Sequence, residues 1–297
     1  MQTILLVAEI VAPVFILAGL GFGWVRAGLE YRVQFVSRLA MRLALPCLMF
    51  QVLRKTELSP DLIWAVAGAS VAAHRVLIPS FWALVRVMGI DIRTYLAPLI
   101  FGNTGNLGLP LALFAFGQAG LEIAVIVFAV SLIIAFTVGI WIVAGEASLG
   151  ALVREPAVFS LPLAVLFMAM DWTLPRWADN TLDLVGQMLI PMMLMTLGVA
   201  LSRLKLTNAC RVIWLALLKL AICFACAWAV AGLFALPEVA FAVLVVQMCT
   251  PVAVTAYLIA ENYLPNAEDV AGFVVVSTLL SVVALPTVLS LFVAHLV

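Results

Sequence analysis

Residues 101–110 read FGNTGNLGLP, and long apolar runs lie on both sides of them. Asn103, Thr104, Gly105, Asn106, Gly108 and Pro110 fill six of the eight positions from 103 to 110, near the centre of segment 94–117. Glycine and proline each weaken a helix, and Pro110 also removes a backbone donor and crowds the turn before it. The stretch therefore predicts a helix that breaks halfway through an apolar layer. Residues 247–257, QMCTPVAVTAY, repeat the feature: Pro251 lies mid-run, with Gln247 and Thr250 just before it.

The surrounding composition says what that layer is. Hydrophobic residues make up 66% of the 297 and charged residues only 10%, against roughly 25% charge in a soluble domain. A spanning helix needs ~20 mainly apolar residues. Runs of that kind fall at 3–25, 33–53, 61–86, 94–117, 119–145, 156–174, 181–202, 210–235, 237–260 and 268–295. The expectation is an all-α membrane protein with ten transmembrane helices, joined by short linkers. The N-terminal run has no basic leader and is too long for a signal peptide, so it reads as the first span. Zero net charge gives no reason to expect a nucleic-acid partner.

Lys and Arg favour the cytoplasmic side of short loops. With the N-terminus outside, the cytoplasmic loops and flanks carry Arg26, Arg32, Arg38, Arg86, Arg93, Arg154, Arg203, Lys205 and Arg211, and the outer ones Arg54, Lys55 and Arg176, nine against three. Both termini are then expected outside a cell (inner or plasma) membrane. Internal repetition sharpens the picture, since transporters are often built from inverted repeats. At an offset near 145, LPCLMFQVL around Pro46 meets IPMMLMTLG around Pro191, and His74 meets Lys219. LEIAVIVFAVSLIIAF (121–136) meets AEDVAGFVVVSTLLSVVAL (267–285), with Glu122 and Ser131 near Glu268 and Ser277. Five spans is an odd number, so the second copy is inverted. The domains expected are a first five-helix repeat, 1–145, and a second, 156–297, with broken helices 4 and 9 at matching depth.

Unwound backbone in hydrocarbon leaves amides and carbonyls unpaired, so it is tolerated only when buried in protein or lining a wet cavity. One interruption is also what a packing kink gives; a matched pair at the midplane marks a substrate site. The half-helix N-termini it exposes attract anions. The candidate substrate-binding residues are Asn103, Thr104, Asn106, Pro110, Gln247, Thr250 and Pro251. Arg42, His74, Arg75 and Lys219 are the ionisable residues expected deep in spans; His74, Arg75 and Lys219 would supply supporting charge. Snorkelling is the alternative for the arginines, and structural hydrogen bonding for His74 and Lys219. Cys47, Cys210, Cys223, Cys226 and Cys249 all lie in or beside apolar runs. The single CxxC (223–226) has no second pair, so neither a metal nor a cofactor is expected.

GNTGNLGLPLALFAFG (102–117), with the P-x-A-V-x-x-Y pattern after Thr250, resembles the auxin efflux carrier family, which includes plant PIN-type carriers and bacterial malonate or malate carriers. The resemblance covers essentially the whole chain. It implies a ten-helix fold with crossed, broken helices 4 and 9, similar to bile acid:sodium symporters. Helices 1, 2, 6 and 7 would form a scaffold, and helices 3–5 and 8–10 a moving transport unit. It further implies a substrate site at the crossover, Asn103, Asn106 and Pro110 against Thr250 and Pro251, in a homodimer. The linker 146–155 is far shorter than the regulatory loop of plant members, which points to a prokaryotic carrier and away from indole-acetic acid.

The function expected is secondary transport of a small mono- or dicarboxylate by alternating access. A sodium- or proton-coupled carboxylate symporter remains open, as does a membrane sensor, although no soluble output module fits in the chain. A channel shares these features but has less use for inverted repeats. A membrane-embedded enzyme lacks its HExxH or GxGD motif, and the only histidines are His74 and His295.

Overall fold

The computed structural model describes residues 2–145, 155–203, 209–264 and 266–293. Most of the linker 146–155, with Arg154, and also Lys205 and His295, lie outside those residues. The described residues are all-helical, apart from a single antiparallel bridge between Gly102 and Val252. Chain order gives α1 (Gln2–Arg26), α2 (Val33–Arg54), α3 (Pro60–Val87), α4 (Ile92–Ile100), α5 (Thr104–Ala144), α6 (Pro156–Ala169), α7 (Arg176–Arg203), α8 (Ala209–Leu233), α9 (Glu238–Met248), α10 (Val254–Tyr263) and α11 (Ala267–Val293).

Seven of these helices are long and apolar enough to cross a membrane, which makes the chain a multi-pass membrane protein. The sequence predicts ten spans, and the difference has local causes. α4, α9 and α10, of 9, 11 and 10 residues, are half-helices. α6 has 14 residues, a rise of about 21 Å, short of the ~30 Å hydrocarbon layer. α5 runs on through Gly117, whose φ of 63° and ψ of −153° turn the chain between two helical stretches that otherwise read as one. Only glycine adopts such a backbone without a penalty.

Packing falls into two groups. α1 lies along α7, and α2 packs on α6 and on the start of α7. The α1–α7 seam brings backbones into contact: a Cβ on Gly198 would lie 1.7 Å from the Ala18 carbonyl oxygen, and one on Gly21 would lie 2.0 Å from that of Met195. At one end Arg54 pairs with Asp179, Lys55 reaches Asp183 at 2.5 Å, and Gln51 Nε2 donates to Asp179 at 2.9 Å, tying α2 to α7. In the other group α3 packs on α4, α5 and α8; α9 lies on α5 and α8; and α11 covers α8 and α10. The groups touch where α1 meets α5 and α11, where α2 meets α5, and where α7 meets the turn 104–108.

Candidate functional site

The two interruptions meet. α4 ends at Ile100 and helix resumes at Thr104; α9 ends at Met248 and helix resumes at Val254. Gly102 bridges Val252, and the Asn103 amide donates to the Pro251 carbonyl at 2.6 Å. This contact explains Gly102, because a Cβ there would sit 2.3 Å from Thr250 Oγ1. Gly108 is pinned in the same way: its Cβ would lie 2.1 Å from Gln247 Oε1. The bridge joins residues 150 positions apart; the second gap, 249–253, is two residues longer than the first, 101–103.

The polar stretch itself departs from expectation. Residues 104–108 are a wide π-turn and Leu109 continues the helix, so most of the stretch opens a half-helix instead of being unwound. Pro110 is the seventh residue of that half-helix, just past the π-turn, so its missing donor leaves an intrahelical bond unmade there. α5 and α10 therefore begin at the meeting point, with their free N–H groups directed there, while α4 and α9 end at it.

A cavity of about 130 Å³ opens at this point. Asn103, Thr104, Gly105 and Asn106 line it from the start of α5, and Ala253 and Thr255 from the start of α10. Phe101, Phe128, Phe136, Met41, Met193 and Ile259 supply an apolar wall. Among the described residues the lining holds no charged side chain. Asn103 is 4% exposed, and its Nδ2 has no hydrogen-bond partner. A buried donor without a partner costs about 1–3 kcal/mol, and a site for an acceptor removes that cost.

The other expected residues separate from this cavity. Thr250 and Pro251 line a pocket of about 20 Å³ on α8 and α11, together with Lys219, Ser277 and Ser281. There Thr250 Oγ1 donates to the Gln247 carbonyl at 2.7 Å, and the Val252 amide donates to Ser277 Oγ at 3.1 Å. Lys219, 3% exposed, donates to the Leu99 carbonyl at 2.9 Å, placing its ammonium on the C-terminal end of α4, the negative end of that helix. Gln247 is fully buried, with Nε2 3.5 Å from the Ala124 carbonyl and Oε1 unpartnered. His74 Nδ1 pairs with the Ser70 carbonyl at 2.8 Å, and its ring stacks 6.0 Å from Phe101, one layer behind the cavity. Arg42 and Arg75 are exposed and line neither pocket. Sequence reasoning misses Met41, Phe128, Phe136, Met193 and Ile259, which as ordinary members of apolar runs carry no signal, and Thr255, whose hydroxyl just after Pro251 was the available signal.

A multi-pass helical chain whose largely apolar cavity, edged by Asn103, Thr104 and Asn106, forms where two helices break is built as a membrane transport protein. The family model described as "Membrane transport protein" matches residues 6–150 and again 144–289, so the chain belongs to that family, that of the auxin efflux carriers. The double match fits two related halves. Among curated proteins, none matches the chain.

Proposed function

We infer that this transporter carries an organic monoanion, a carboxylate on an apolar body, by alternating access at the meeting point of the two interrupted helices. The observation that carries the reading is the buried, unpartnered amide of Asn103, a residue that lines an apolar cavity beside the N-termini of α5 and α10. Asn103, Thr104 and Asn106 with the N–H groups of α5 and α10 receive the carboxylate. Phe128, Phe136, Met193 and Ile259 receive the rest of the molecule, so a second carboxylate would meet an apolar wall, which disfavours a small dicarboxylate. Thr250, Pro251 and Gln247 hold the crossover's shape from behind, Pro110 follows the π-turn that opens α5, and Lys219 and His74 act through the backbone and through Phe101. Arg75 takes no part at the cavity.

In this reading the interrupted stretches are helices 4 and 9 of ten, crossed, in two inverted five-helix repeats. α1, α2, α6 and α7 form the scaffold, supported by the α1–α7 glycine seam and the Arg54–Asp179 tie. The remaining helices move against it. The assembly is a homodimer in a cell membrane with both termini outside. With the interior negative, expelling one negative charge gains ~2.3 kcal/mol per 100 mV, so efflux needs no coupling ion, whereas uptake would need sodium or a proton.

The deciding experiment is counterflow in proteoliposomes with a panel of aliphatic and aromatic monocarboxylates beside malonate and malate. Exchange of monocarboxylates, lost in Asn103→Ala, is expected. Preference for the dicarboxylates, or wild-type exchange in a folded Asn103→Ala protein, overturns the reading.

A further inference from the structure

The geometry points to a binding site for the headgroup of an anionic phospholipid at the end of the bundle where α1 stops, α2 starts and α7 stops. A concavity of about 770 Å³ lies there, lined by Tyr31, Arg32, Gln34, Phe35, Arg38 and Arg203 among others. Three apolar spans reach their polar boundary at this level, at Arg26, Val33 and Arg203. The concavity therefore sits where acyl chains give way to headgroups.

Charge at this end is in surplus. Arg32 meets Glu30 at 2.6 Å. Among the described residues, Arg38 bonds only to the Gln34 carbonyl at 3.2 Å, and Arg203 only to that of Tyr31 at 2.7 Å. Carbonyls do not neutralise a guanidinium, and each of these arginines keeps most of its N–H donors for a phosphodiester. The opposite ends of α2 and α7 differ, because there Arg54 and Lys55 are answered by Asp179 and Asp183. Among the described residues, one end of the same helix pair is neutralised and the other is not, although both face a membrane boundary.

The site is also held in shape. Tyr31 hydroxyl pairs with Thr196 Oγ1 at 2.8 Å, which fixes the carbonyl that positions Arg203. Trp24 Nε1 donates to the Glu30 carbonyl at 3.2 Å. Trp24 and Phe35, 44% and 62% exposed, flank the arginines as aromatic residues do at a membrane interface. The arrangement joins cations from two helices and their loop over a boundary rimmed by aromatics, which suits a lipid phosphate with its chains running down α1 and α2. With the N-terminus outside, this is the cytoplasmic leaflet, where anionic lipids concentrate. The site is separate from the transport cavity and stands or falls independently of it.

The test is native mass spectrometry of the full chain in detergent, titrated with phosphatidylglycerol, phosphatidylcholine or inorganic phosphate, alongside thermal melting. Phosphatidylglycerol is expected to be retained and to raise the melting temperature, and the other two are not. The pair Arg38→Gln and Arg203→Gln should weaken phosphatidylglycerol roughly thirtyfold, while Lys55→Gln at the opposite end changes nothing. Arg32→Gln, exposed and free of packing, is the variant to use if the double change impairs folding; it should weaken the lipid severalfold. Equal retention by the wild type and these variants overturns the site. Equal response to phosphatidylcholine, or to free phosphate, overturns the assignment to an anionic lipid.

Discussion

The two interruptions occupy matching places in their halves and meet face to face, yet they are chemically unlike. The first is three residues long and leaves a side-chain donor, Asn103 Nδ2, unused beside the cavity. The second is five residues long and spends its polar groups on bonds to neighbouring parts of the protein. Thr250 bonds to Gln247, Val252 to Ser277, and the Pro251 carbonyl accepts the Asn103 amide. Duplicated architecture therefore need not mean duplicated chemistry. One gap presents donors and the other braces them.

That contrast is open to direct attack. Asn103→Ala removes the presented donor, and a hydrogen bond to a charged group is worth roughly 1.5–3 kcal/mol. We expect kcat/KM for a carboxylate to fall about ten- to a hundredfold in proteoliposomes. The melting temperature should hold, because the lost amide has no partner in the unliganded protein. A large fall in melting temperature would make Asn103 a brace like its counterpart.

Gly108→Ala attacks the contact between the gaps by forcing a methyl onto the Gln247 amide. Overpacking of this kind costs ~1–3 kcal/mol, so transport and melting temperature should fall together. A variant with normal stability and normal rate would mean that Gln247 swings aside freely.

Lys219→Met strands the Leu99 carbonyl but removes a buried charge, two effects of opposite sign. The net loss should be near ~1 kcal/mol in stability, with a rise in KM smaller than that of Asn103→Ala. A KM effect larger than that of Asn103→Ala would reverse the assignment of roles. Thr250→Val keeps shape and loses one internal bond, worth ~0.5–1.5 kcal/mol. Its transport rate should stay within about threefold of wild type, and a larger loss would put Thr250 among the donors.

The interruptions were legible because glycine, proline and asparagine act on their own stretch of backbone. Pro251 and the 103–110 cluster locate both gaps to within a few residues. The π-turn at 104–108 was not legible, since only the distant segment 250–252 of the same chain decides which of those residues bond and which coil. The apolar wall left no trace in the sequence. Met41, Phe128 and Met193 differ from their neighbours only in what they face, and a chain this uniformly apolar has no periodicity to reveal it. Lys219 and Arg75 looked equivalent as charges in spans, yet one is buried against a helix end and the other is exposed.

The Asn103–Pro251 hydrogen bond also has a consequence for how the protein is made. Its donor leaves the ribosome roughly 150 residues before its acceptor, a delay of about ten seconds at the usual 5–20 residues per second. Through that interval α4, nine residues long, cannot cross the bilayer alone, and its ragged end has no backbone partner in hydrocarbon. The first half must therefore wait in the insertion machinery or at the interface until the second arrives, and a chain truncated before Pro251 should be degraded in the cell and not accumulate as a stable half-carrier.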